Sequence, residues 1–142
     1  MNILFISRAY GEHAGGMERL SYELTQSFPD ARRIVHETKP GASLLSARLR
    51  SGIFAITVIP KAIRFSKNAD IVHIGDPVLS FVGWCIANIR HIPVVVTVHG
   101  LDISYDNFLY QLYLRLFFRS FSQYIAISKY AAHEGKHLYK RN

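Results

Sequence analysis

PVVVTVHGLD, residues 93–102, joins a run of β-branched apolar residues to a polar stretch that contains His99 and Asp102. The run from Val94 to Val98 is apolar at nearly every position, which is typical of a strand buried on both faces of a parallel sheet. A buried strand needs a turn after it, but it does not need a histidine or a carboxylate. The polar residues therefore indicate a functional edge where this strand ends.

The rest of the chain alternates between strand-like and helix-like segments. Four more β-branched runs are NILFIS (2–7), RRIVHE (32–37), ADIVHI (69–74) and QYIAI (123–127). Helical patterns fill the segments around 17–28, 43–67, 78–90 and 106–121. This alternation predicts βαβ units and an α/β, Rossmann-like domain, with a parallel sheet of at least five strands covered on both faces.

Several helix boundaries have a chemical cause. Asp76 places a good N-cap before Pro77, a residue favoured at the first helical position, and Ser128 can cap the last helix in the same way. Gly52 and Pro60 interrupt the long second pattern, so we expect two shorter helices there or a kink.

Composition limits the classes of function. The chain has 142 residues, about one domain, with a net charge of +7. One segment without acids carries six basic residues: Lys39, Arg48, Arg50, Lys61, Arg64 and Lys67. Such a segment attracts phosphates or is simply a solvated face. Because no recognition fold or aromatic platform accompanies the charge, we expect no nucleic-acid partner.

The single cysteine and the hydropathy pattern bear on location. Cys85 lies in an apolar segment, where it predicts a small buried hydrophobe, and it cannot form an intrachain disulfide. A helix that spans a bilayer needs about 18 consecutive apolar residues, and no segment of this sequence contains such a run. The N-terminus is not typical of a signal peptide. We therefore expect a cytoplasmic protein.

Ligands of open parallel sheets bind beyond the carboxyl ends of the strands, where helix N-termini carry partial positive charge. In this chain those ends carry Gly15 and Gly16, Asp76, His99, Asp102 and Ser128. The glycine pair precedes a helix that we expect to begin near residue 17, and its backbone can approach a phosphate closely. Structural roles remain open as alternatives: a flexible turn for the glycines, a satisfied polar residue for His99, and N-caps for Asp76 and Ser128.

Four segments together resemble the N-terminal, acceptor-side domain of family 4 glycosyltransferases, one half of the GT-B fold. They are NILFISRAYGEHAGGMERLSYEL (2–24), ADIVHIGD (69–76), PVVVTVHGLD (93–102) and QYIAISKYAA (123–132). The resemblance implies that residues 1–142 form an incomplete copy of that domain of a retaining enzyme. Such an enzyme transfers a sugar from a nucleotide-sugar donor to a glycan or lipid-linked acceptor, with no metal and no other cofactor.

The resemblance also implies roles for single residues. Gly15 and Gly16 match the glycine loop that approaches the donor diphosphate and the acceptor. His99 matches the histidine that lines the cleft near the transferred sugar, and it is the catalytic candidate. Asp102 is a candidate for sugar or acceptor hydroxyls. Two further rim residues are weaker binding candidates: Asp76 and Ser128.

One departure from the family concerns the donor site. Family members carry a second domain with a Glu-x7-Glu motif and a basic pair that grips the diphosphate, and no two glutamates here are eight positions apart. We therefore expect this chain to need a missing C-terminal domain or a partner subunit for turnover. The alternative is a non-catalytic binding module, or a partner-dependent half of a split transferase.

HEGKH, residues 133–137, matches the H-E-x-x-H pattern of zinc proteases only formally. Gly135 weakens the helix that would align His133 with His137, and only five residues follow in which a third ligand could lie. We expect a frayed, solvated helix end and no metal.

FLYQLYLRLFFRSF, residues 108–121, predicts a helix with a broad apolar face. Its polar residues form a narrow stripe: Gln111, Arg115, Arg119 and then Ser122. We favour packing of the apolar face against the sheet on one side and against an absent domain on another. The rival hypothesis is that this helix and the basic 48–67 region rest on an anionic membrane, which would make the protein peripheral at the cytoplasmic face.

Overall fold

The computed structural model describes residues 1–12, 15–37 and 44–140, and all of their side chains except those of 44–48 and 140. Lys39 lies outside these residues. So does Ser43, where the second helical pattern was expected to begin. The strands are β1 (Ile3–Tyr10), β2 (Arg32–Glu37), β3 (Ile71–Ile74), β4 (Val94–Val98) and β5 (Gln123–Ala126). The helices are α1 (Gly16–Gln26), α2 (Leu44–Phe65), α3 (Ser80–Arg90), α4 (Leu101–Ser104), α5 (Phe108–Phe117) and α6 (Lys129–Lys140).

The five strands form one parallel sheet in the order β2-β1-β3-β4-β5. Right-handed connections place α1 on one face and α2, α3 and α5 on the other, because β2 lies on the opposite side of β1 from the remaining strands. Helix α3 packs against both α2 and α5. Every residue of β4 is buried, as its apolar sequence predicts. The predicted α/β, Rossmann-like fold is confirmed.

Leu44–Phe65, between β2 and β3, forms one helix, so the prediction of two shorter helices is wrong. Pro60 lies inside α2 and cannot donate a hydrogen bond to the carbonyl group of Ile56. Pro60, Ile56 and Gly52 all lie on the exposed side of the helix, where water can satisfy the freed carbonyl. The interruption therefore costs less than it would in a buried helix. A kink at Pro60 stays a prediction.

The helix predicted around residues 106–121 is shorter in the structure. Helix α5 begins after Asn107, whose side chain accepts the N–H of Tyr110 at 3.0 Å, and it ends at Phe117. A 3-10 turn follows, because burial of Phe118 and Phe121 turns the chain towards β5. The short helix α4 was not predicted. Cys85 is buried, as expected. Among the described residues, no helix is both long and apolar enough to cross a membrane.

Candidate active site

The carboxyl ends of three neighbouring strands bring four polar side chains to one edge of the sheet. Arg8 lies near the end of β1, Asp76 follows β3, and His99 and Asp102 follow β4. Since β1, β3 and β4 are adjacent, residues far apart in sequence become neighbours. We call this edge the rim. Ser128 follows β5 at the same edge of the sheet.

His99 is held by two neighbouring loops. Its N–H donates to both carboxylate oxygens of Asp102, at 3.1 Å each. Its ring Nε2 lies 3.1 Å from the carbonyl oxygen of Gly75. Because a carbonyl can only accept, Nε2 carries the proton in this contact, and Nδ1 is the acceptor of the neutral ring. The main chain after β3 therefore orients the histidine without a ligand.

Asp102 is buried in the first turn of α4 and closes its own loop. The loop turns at Gly100, whose φ of +100° is a conformation that glycine adopts without strain. Burial raises the pKa of the Asp102 carboxyl, and the hydrogen bond from the His99 N–H opposes that rise. The main-chain carbonyl of Asp102 accepts the hydroxyl of Tyr110. Asp102 thus has a structural role, and its contact with a sugar stays a prediction.

Asp76 is fully buried and pairs with Arg8. Its Oδ1 accepts the Val78 N–H at 2.9 Å and the Arg8 Nε at 2.9 Å. The predicted N-cap role is therefore confirmed, for the 3-10 turn at Pro77–Leu79. Among the described residues, its Oδ2 has no hydrogen-bond partner. Burying a carboxylate oxygen without a hydrogen-bond partner costs free energy, because the oxygen loses its contacts with water. Oδ2 still has lone pairs that can accept a hydrogen bond.

The glycine pair lies where α1 begins, at Gly16, within one residue of the predicted start. Gly15 has an ordinary φ of −67°, and Gly16 is helical, so neither uses a positive φ. A Cβ added at Gly16 would meet nothing within 4 Å, so packing in the described structure does not require glycine there. Ser128 accepts the Ala131 N–H at 3.0 Å, which confirms its predicted cap of the last helix.

A cavity of about 550 Å³ opens at the rim. Of the predicted site residues, all of which the structure describes, Asp102 lines this cavity, whereas His99 and Asp76 do not. The lining also includes Arg8, Tyr105, Asn107 and Tyr110, which the sequence did not single out. The one usable signal was the position of Arg8 near the end of the first strand. Tyr110 looked like an ordinary residue of an apolar helix. The cavity falls within the range of about 300–1,000 Å³ that is usual for ligand sites.

The HEGKH segment lies on α6, and the Nε2 atoms of His133 and His137 are 3.4 Å apart. In the part of the chain that the structure describes, no group of three or more His, Cys, Asp or Glu side chains could hold a metal ion. Gly135 has a packing role, because a Cβ there would lie 2.7 Å from the ring of Tyr124. This segment is therefore explained by the contact between α6 and β5.

The fold and the rim define a Rossmann-like domain with a cluster of polar side chains at the carboxyl ends of its strands. Residues 14–142 match the model of Glycosyltransferase Family 4, and the chain belongs to that family. The predicted membership, and the predicted fold of one GT-B half, are confirmed. No curated protein matches the chain in sequence.

Three solved structures of Anabaena Alr3699/HepE share this fold. They are complexes with UDP, with UDP and glucose, and with UDP-glucose. Their TM-scores are 0.67, 0.67 and 0.66, at sequence identities of 17%, 18% and 19%. Each alignment covers 97% of this chain, but only 41%, 41% and 40% of the HepE chains. The chain therefore spans about two fifths of their length.

Proposed function

We propose that this chain is the N-terminal, acceptor-side domain of a retaining glycosyltransferase that uses a nucleotide-sugar donor, a glycan or lipid-linked acceptor and no metal. Family membership supports sugar transfer. The UDP and UDP-glucose bound to Alr3699/HepE support the class of donor. The observation that carries the proposal is the ring of His99, which is oriented at the rim by the carbonyl group of Gly75.

The chemistry of sugar transfer suits these residues. The transferred sugar develops oxocarbenium character while the departing diphosphate gains negative charge. Nδ1 of His99 accepts a sugar hydroxyl in this proposal, and Asp102 offers carboxylate oxygens nearby, whereas the carboxylate of Asp76 is fully buried. The main-chain amides where α1 begins at Gly16 face the diphosphate, because a helix N-terminus stabilises negative charge. The absence of a packing requirement for glycine at Gly16 supports this role.

Donor binding needs a second domain or a partner subunit in this proposal. The outward side of α5 supports it, because its exposed residues are mostly apolar: Phe108, Leu109, Leu112 and Leu116. The intact mass of the protein in its native source tests the idea. A mass well above the 16.2 kDa of this chain would support a second domain in the same polypeptide, whereas a matching mass would point to a partner subunit.

The alternative occupant of this surface is an anionic membrane, at the cytoplasmic face of which the protein would be peripheral. The basic residues Lys61 and Arg64 on α2, both exposed, support it. Flotation with liposomes that contain or lack anionic lipid separates the two. Binding that requires anionic lipid at low salt supports the membrane, and no lipid-dependent binding contradicts it.

The catalytic assignment is tested with His99→Ala in the protein together with its second domain or partner. Release or transfer of sugar is measured over a panel of nucleotide sugars. We expect kcat/KM to fall by about 100-fold or more, as for other groups that position a reacting substrate. The matched control is His133→Ala, an exposed histidine on α6, which should retain activity. Full activity in His99→Ala would remove this histidine from the site. If the wild-type protein turned over none of the donors, the result would favour a non-catalytic binding module.

A further inference from the structure

A second cavity, of about 310 Å³, lies between α2, α3 and α5. Val78 and Tyr110 line both this cavity and the larger one at the rim. The remaining lining residues are Ala55, Ile56, Phe81, Val82 and Tyr113. The two cavities therefore adjoin at these two residues, and we treat them as one groove with one end at the polar rim and one apolar end. We call it the α2–α3–α5 groove.

The apolar end offers nothing polar to a ligand. The hydroxyl of Tyr113 donates to the carbonyl oxygen of Val78 at 2.7 Å and accepts the Phe81 N–H at 2.9 Å. The hydroxyl of Tyr110 donates to the carbonyl oxygen of Asp102. Both tyrosines therefore present ring surface to the groove, and none of the described residues that line the apolar end is charged. Hydrocarbon is the ligand chemistry that such walls favour.

The outer side of α2, beside the groove, is apolar and basic at once. Leu49, Ile53 and Ile56 are exposed along it, and Arg50 and Lys61 flank them. Residues 38–69 contain no carboxylate at all. Exposed apolar side chains beside uncompensated positive charge are typical of a surface that meets anionic lipid. The surroundings of the groove therefore favour a lipid as its occupant over a polar glycan.

We propose that the α2–α3–α5 groove holds the hydrocarbon chain of a lipid-linked acceptor, with the sugar of that acceptor at the rim near His99. The side chains of Asp102 and Asn107, which line the rim cavity, offer hydrogen-bonding groups to the sugar hydroxyls. This inference rests on the proposed function and narrows its acceptor to one class: a hydroxylated head joined to an alkyl or polyprenyl chain.

Trp84, the sole tryptophan of the chain, does not line the groove but contacts Phe81, which does. Its ring stacks on that of Phe81, with centroids 5.7 Å apart. The probe is dodecyl maltoside brominated in its alkyl chain and kept below its critical micelle concentration, since bromine quenches indole fluorescence only at short range. We expect saturable quenching that unbrominated dodecyl maltoside reverses and that maltose does not. Absent or unsaturable quenching would overturn the proposal.

The matched variants are Ile56→Glu and Ile53→Glu, both on the exposed side of α2, where a carboxylate should not prevent folding. Ile56 lines the groove, whereas Ile53, three residues earlier, lines neither of the two cavities. We expect Ile56→Glu to weaken binding of the brominated probe by roughly tenfold, because the alkyl chain of the probe would remove water from the new carboxylate. Ile53→Glu should bind as the wild type does. Equal affinities in the two variants would show that the probe binds elsewhere.

The outcomes separate this proposal from the proposed function. Turnover of a nucleotide sugar without saturable binding of the probe would refute the lipid groove and leave the transferase assignment intact. Saturable, Ile56-dependent binding with no turnover of any donor by the protein together with its second domain or partner would favour the non-catalytic binding module and would refute the identification of the lipid as an acceptor. Turnover of a nucleotide sugar together with saturable, Ile56-dependent binding of the probe would support both the transferase and the lipid groove.

Discussion

Protonation of His73 should destabilise this domain, because burial in the sheet disfavours the charged ring. The side chain lies in β3 and is 9% exposed. Its Nε2 lies 2.9 Å from the Thr97 hydroxyl on β4, and its ring packs 5.1 Å from that of Phe5. Burial, and to a smaller extent the neighbouring His99, lowers the pKa of His73 to about 4.

The unfolded chain binds a proton at this histidine near its ordinary pKa of about 6.5, before the folded chain does. The stability that His73 contributes is therefore fully present above that pH, and it is lost as the pH falls towards 4. The pKa difference between the folded and unfolded states corresponds to roughly 3 kcal/mol in total. Between pH 7 and pH 4.5, about 2 kcal/mol of this should be lost.

Urea unfolding at these two pH values, followed by circular dichroism, measures the effect. Glutamine at this position keeps a hydrogen-bonding group for Thr97 but does not titrate. We expect the wild type to lose about 2 kcal/mol more than His73→Gln between pH 7 and pH 4.5, whatever the difference in their stabilities at neutral pH. His137→Gln, at an exposed position on α6, is the control and should follow the wild type. Identical pH dependence in His73→Gln and the wild type would refute the reasoning.

Two further predictions concern packing and capping, and urea unfolding at neutral pH tests both. A Cβ at Gly83 would lie 2.5 Å from the buried ring of Phe121, so Gly83→Ala should lower the free energy of unfolding by about 1–3 kcal/mol. A Cβ at Gly52 on α2 would meet nothing within 4 Å, so Gly52→Ala should raise the free energy of unfolding by up to about 1 kcal/mol. Changes of the same sign in the two variants would contradict the packing argument. Ser128→Ala should cost about 1 kcal/mol, while Ser128→Asp can still accept the Ala131 N–H and should retain most of the stability; equal losses would argue against the cap.

The strands were predictable from the sequence because their signal is local. A run such as Val94–Val98 has few structures open to it other than a buried strand, and the alternation with helices determines that the sheet is parallel. Helix α2 was not predictable in one piece, because the cost of Pro60 depends on whether the freed carbonyl group of Ile56 faces water. That orientation is set by tertiary packing, which local sequence does not reveal.

The site was predictable in position but only partly in composition. His99, Asp102 and Asp76 could be assigned to the rim because strand ends of a parallel sheet meet at one edge. Arg8 was missed because an isolated arginine looks like any surface charge. Its importance appears only when the fold pairs it with the buried carboxylate of Asp76, 68 positions further along the chain.

The contacts at the rim bear on how the domain would meet a ligand. Asp102 holds the main chain of His99, Gly75 orients its ring, and Arg8 pairs with Asp76, so these polar groups restrain one another before any ligand arrives. Such mutual restraint does not compete with binding. It leaves Nδ1 of His99 available, and a ligand that meets groups already in position loses less free energy to their ordering. The residues that appear structural in this fold are therefore the ones that would make the functional atoms effective.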